Sequence, residues 1–148
     1  MSMQLPHELQ HFPHAAIIVV SNHIIGRIFL VGGDALEELD GCALPRERKQ
    51  DAEGAGIISG TSRVVGPNSK PNDKPRLKRF IKELANLTNK YVRDHNVVHV
   101  HLVMPADIEH RLYERLDSEM KKKLGRRVLH DLIQEHPLEI VRRILEVA

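Results

Sequence analysis

Arg63, Lys70, Lys74, Arg76, Lys78 and Arg79 put six cations into a short stretch of a 148-residue chain. Guanidinium and ammonium groups at this density favour polyanions, and they raise both affinity and on-rate for a phosphate backbone. The charge is unevenly spread. Residues 1–40 hold one basic and five acidic residues, residues 41–82 hold ten and four, and the remainder balances, leaving a net charge of +2. The cations run into the start of a helix near Asp73, where exposed backbone N–H groups add to the attraction for anions. Phe80 is the only aromatic nearby and suits a core, so contact is expected with the backbone of a nucleic acid rather than with its bases.

Other side chains offer weaker chemistry. His99 and His101 are two apart on a predicted strand and share a face, and His130 falls on a strand that could adjoin it. No cysteine or paired carboxylate joins them, so histidines packed under a helix are expected and no metal or other cofactor. His7, His11 and His14 fall in a surface tail. The apolar strands AAIIVVSN and VVHVHLVM carry no Asp or Glu, which removes a two-metal nuclease. Cys42 has no base or motif beside it and reads as a structural thiol, so no catalytic residue is assigned. The glycines of GAGIISG do not link a strand to a helix in the manner of a nucleotide cradle.

The elements that must position these groups follow from periodicity. AAIIVVSN (15–22), IIGRIFLV (24–31) and ALEELDGCAL (35–44) read as an antiparallel meander, with Gly32-Gly33-Asp34 as a tight turn. Residues 45–73 show no sustained period and hold three prolines and four glycines, which predicts a long basic loop. From Asn72-Asp73 a helix follows, with Leu77, Phe80, Ile81, Leu84, Leu87, Thr88, Tyr91 and Val92 on one stripe and Lys78, Lys82, Lys90 and Arg93 away from it. VVHVHLVM (97–104) is a strand and IEHRLYERL (108–116) a helix. Ser118 is expected to cap EMKKKL, which Gly125 stops; RRVLHDLI (126–133) then reads as a strand, and Pro137 opens a last helix. The fold class is α/β: a single mixed five-stranded sheet, an antiparallel meander followed by two helical crossovers, flanked by helices, of ribonuclease H-like or translation-component type. An N-terminal extension (1–14) precedes one domain (15–148).

Hydrophobic content of 41% and charged content of 28% suit a globular fold with an aliphatic core. The start of the chain lacks the basic residues and the long apolar run of a signal peptide, and no stretch matches a membrane span. With one cysteine, a reducing, cytoplasmic setting and no membrane contact are expected.

The run from RLKRFIKELA through VVHVHLVMP, IEHRLYERL and His130-Asp131-Leu132 to HPLEIVRRIL, with the opening hairpin IIVVSNHIIGRIFLV, resembles the bacterial host-attachment protein family. That family is related to the central domain of archaeal and eukaryotic class-one peptide chain release factors. The resemblance implies that the loop at 45–73 stands where the release-factor domain carries Gly-Gly-Gln. Here the Gly-Gly pair is Gly32-Gly33, in a hairpin and followed by Asp34, and the loop's Gln50 follows Lys49. Peptidyl-tRNA hydrolysis is therefore not carried over. The expectation is a non-enzymatic, ribosome- or RNA-associated domain whose partner is ribosomal RNA or tRNA. The alternatives are a hydrolase acting on a tRNA ester and a protein-interaction module with a protein partner, the role that the family name suggests.

Overall fold

A computed structural model describes residues 2–45 and 56–147, with side chains described for 2–45 and 74–147. The elements are β1 (Ser2–Gln4), a 3-10 turn (His7–Leu9), β2 (Ala16–Ser21), β3 (Ile25–Gly32), β4 (Ala35–Ala43), α1 (Gly56–His95), β5 (His99–Val103), α2 (Ala106–Arg115), α3 (Ser118–Lys123), β6 (Leu124–Val128) and α4 (Pro137–Glu146). They build one open mixed sheet in the order β1-β4-β3-β2-β5-β6. β2 pairs antiparallel with β3 and parallel with β5, and β5 pairs parallel with β6.

Every residue of β2 is buried, as its unbroken Ile/Val run requires for a strand covered on both faces. Its alternate residues serve two cores. Ile17 and Val19 join Phe80, Ile81 and Leu84 of α1 and Ile108 and Leu112 of α2. Ile18 and Val20 join Leu5, Leu9 and Phe12 from the N-terminal segment and Ile140, Val141 and Ile144 of α4. A fully buried Leu or Ile contributes roughly 1.5–3 kcal/mol, so both layers are strong.

The sheet has six strands where the sequence predicts five. The sixth, β1, comes from the segment set apart as an extension, and pairs with β4 through Met3↔Leu36. Three residues are too few to show a period. The segment is held instead by Leu5 N–H on the Asp34 carbonyl (2.7 Å), Gly33 N–H on the Phe12 carbonyl (2.9 Å), and the burial of Leu5, Leu9 and Phe12.

Where a loop is predicted to residue 73, α1 already begins at Gly56; residues 46–55, including Gln50, lie outside the described residues. Pro67, Pro71 and Pro75 are spaced by four, so their missing N–H groups fall in one row of the helical ladder. A stretch of glycine and proline shows no apolar stripe, which is why period alone reads it as loop. α1 stops before Asn96, which lies in the left-handed region at φ 51, with Val97 N–H returning to the Val92 carbonyl.

Two further boundaries differ. Asp117, not Ser118, caps α3 by accepting from Met120 N–H at 2.9 Å, and the last strand is Leu124–Val128 rather than 126–133. Gly125 lies within β6, and the chain then turns to bury Leu132 and Ile133. That turn is held by Asp131 Oδ1, which accepts from Ile133 N–H, and by Arg27, which donates to the Ile133 carbonyl. Arg27 also grips Glu38 through two bonds of 2.9 and 3.1 Å and stacks on Phe29.

β3 and β4 slip register between Gly26 and Ile28, and Gly41 lies at the slip. A Cβ there would stand 2.0 Å from the Gly26 carbonyl oxygen. Gly33, at φ 57, has open space around its Cβ position. Gly41→Ala is therefore expected to cost more than about 2 kcal/mol, since backbone must move. Gly33→Asn should cost less than about 1 kcal/mol, because Asn tolerates the left-handed region. Urea unfolding of the two variants checks the contrast.

Candidate functional site

α1 divides its two faces sharply. Phe80, Ile81, Leu84 and Ala85 are buried against the sheet, while Lys74, Lys78, Arg79 and Lys82 are exposed on the other side. Lys74, Lys78 and Lys82 follow at intervals of four, about 6 Å of rise each, so they form one row. None of these four cations meets a carboxylate among the described residues. Like charges four apart each cost roughly 0.2–0.5 kcal/mol, a repulsion that a bound anion would relieve.

The predicted cations are thus divided. Lys74, Lys78 and Arg79 share the outward face. Arg76 is half-buried and structural: its Nη1 donates to the Pro45 carbonyl at 3.1 Å, tying the end of the β4 segment to α1. Arg63 and Lys70 lie in the helical backbone of α1, in the stretch whose side chains are not described. Lys82 completes the row and was legible in the sequence from its spacing to Lys78.

A second feature lies on the opposite face of the sheet. A groove of about 680 Å³ is bounded by the N-terminal segment, the starts of β5 and β6, and α4. His99 and His101 do meet there, their rings nearly parallel at 6.3 Å, and Phe12 and His101 meet edge to face with ring centres 6.1 Å apart. His130 stands apart, exposed in the turn after β6. His11 and His14, read as a surface tail, also line the groove. No metal-binding cluster of three or more His, Cys, Asp or Glu exists among the described residues.

His101 is buried to 8% exposure. Its Nδ1 accepts the Arg126 backbone N–H at 2.9 Å, so the neutral ring carries its proton on Nε2. Gly125 makes room for it: a Cβ there would stand 2.6 Å from the imidazole. Burial first, then the charges of His99 and Arg126, push its pKa down from 6.5 to about 4.

Two groups that could be taken for catalytic are not poised for it. Burial and Glu83 push the Cys42 thiol up to about 12, which suppresses the thiolate that a nucleophile needs. The exposed pair His23 and Asp107, at 2.6 Å, joins the β2–β3 turn to α2, and the hydrogen bond from His23 is the main cause that lowers the Asp107 carboxyl. Among the described residues no helix is long and apolar enough to cross a membrane.

An open mixed sheet with helices on both faces, a lysine row on one side and a histidine-lined groove on the other, makes this a small open-sheet α/β domain. The chain belongs to the family described as protein required for attachment to host cells, which matches residues 17–144. No curated protein matches it in sequence. Similar solved structures include an archaeal protein at 15% identity and TM-score 0.47, with 89% of this chain aligned. Another is the ethanolamine utilization protein EutJ from Carboxydothermus hydrogenoformans, at 10% identity and TM-score 0.42, with 90% aligned. This chain spans 36% and 50% of those two chains, respectively.

The acid response of His101 is testable. The unfolded chain takes up this proton near pH 6.5 and the folded chain only near 4, so the stability the neutral ring supports is complete above 6.5 and is lost as pH falls towards 4. Between pH 7 and pH 5 the loss is about 2 kcal/mol. Urea unfolding of His101→Gln at both pH values should show a drop smaller than wild type by about that amount.

Proposed function

We propose that this protein is a non-enzymatic, cytoplasmic domain that holds the phosphate backbone of ribosomal RNA or tRNA on the outward face of α1. The observation that carries the reading is the row Lys74–Lys78–Lys82 with Arg79 beside it, four exposed cations with no carboxylate partner among the described residues. Such a surface recognises charge spacing and not sequence. Kinship with the release-factor central domain is part of the same reading, without its hydrolytic step: Gly32-Gly33 closes the β3–β4 turn, and Cys42 is a poor nucleophile.

The family's own description favours a second reading, in which the same domain contacts a protein partner in attachment to host cells. Nuclease treatment of a pull-down separates the two, since a protein partner survives it.

Binding to a single-stranded RNA should weaken by roughly three decades per decade of salt if four phosphates are neutralised. Changing Lys74, Lys78, Arg79 and Lys82 to Glu should abolish binding at low salt without unfolding the domain, because all four are exposed. Filter binding over a salt series measures both; salt-independent binding, or a quadruple variant that binds as wild type does, overturns the reading. Arg76→Ala should instead lower stability, by roughly 1 kcal/mol for the lost bond to Pro45, as thermal unfolding would show.

A further inference from the structure

We propose that the groove between the N-terminal segment, the β5 and β6 starts and α4 is a binding site for a mononucleotide, a flat heteroaromatic base carrying a phosphate. The inference is independent of the lysine row, which lies on the other face of the sheet.

Three properties of the groove converge on that ligand. Its volume of about 680 Å³ falls within the range of small-molecule sites. Its wall is aromatic: Phe12 and His99 each come within ring-contact distance of His101. His99 is the exposed ring of the three, and an imidazole face is one on which an unstacked base can stack. The third property is a donor held in place. His101 is more than nine-tenths buried, its Nδ1 is occupied by the Arg126 amide, and its Nε2–H has no acceptor among the described residues. That N–H is not sealed from solvent, and the groove that His101 lines is where an acceptor can enter.

The charged groups lining the groove have both signs. Arg126 and Arg142 are guanidinium donors suited to a phosphate. Arg126 already gives one Nη1–H to the Ile144 carbonyl at 3.3 Å, and Arg142 faces Glu139 at 3.7 Å on the same helix, so both keep further donors. Glu8 and Glu146 supply carboxylates, which would repel a plain polyanion but accept from ribose hydroxyls or exocyclic amines. A nucleoside monophosphate matches all of these at once; inorganic phosphate matches only the arginines.

The test is titration of the full chain at pH 7 with AMP, GMP, CMP and UMP, read by the imidazole resonances of His99 and His101. Adenosine and inorganic phosphate are run as separate arms. At least one nucleotide should shift both histidines saturably, and neither half-ligand should do so at the same concentration. Arg142→Gln, at an exposed position, should weaken binding roughly tenfold. His101→Phe removes the donor and should do likewise, read at His99. It also takes the acceptor from the Arg126 amide, so its melting temperature should fall, and Arg142→Gln is the variant that weakens binding with an unchanged melting temperature. The lysine-row variant should bind the nucleotide as wild type does. Four nucleotides that leave both imidazoles unmoved, or a shift reproduced in full by phosphate alone, would overturn the proposal.

Discussion

Burial of β2 on both faces governs the architecture. Ala16–Ser21 has no polar face to give to water, so each side must be roofed, and the chain supplies two different roofs. The sequence-distant helices α1 and α2 cover Ile17 and Val19. The N-terminal segment and α4, from the two ends of the chain, cover Ile18 and Val20. Because side chains alternate with a period of two, the register of β2 against β3 and β5 decides which core each residue joins.

The roofs do more than exclude water. α1 has to present Phe80, Ile81 and Leu84 inward, and the helical period then leaves Lys74, Lys78 and Lys82 in one outward row. A cationic surface is thus built onto a rigid element at no cost to the core. On the other side, α4 and the segment 2–14 meet over the starts of β5 and β6, where His99 begins β5 and Gly125 lies just inside β6. The absence of a side chain at Gly125 is what lets the His101 ring approach the neighbouring strand. Burial in that position keeps the imidazole neutral and so fixes its proton on the nitrogen away from the Arg126 amide.

The strands β2, β3 and β4 and the inward stripe of α1 were legible because each depends on local periodicity and turn chemistry: Ile17 through Val20, Gly33 at positive φ, Leu77 through Leu84 at helical spacing. Gly125 misleads for the same reason. Local rules make it a helix stop, yet its role is set by an imidazole 24 positions earlier in the chain. The strand at 126–133 fails similarly, since Leu132 and Ile133 reach the core through a turn held by Arg27, a contact that spans more than a hundred residues.

Sequence alone determined the α/β class, the antiparallel meander and the exposure of Lys74, Lys78 and Arg79, because hydrophobic period and charge act within a few residues of one another. Only the tertiary structure decided that Arg76 ties down Pro45, that β1 extends the sheet, and that Phe12, His99, His101, Arg126 and Arg142 border one groove. Those groups come from four separate segments, and no local pattern encodes a meeting that depends on how two faces of a sheet are covered.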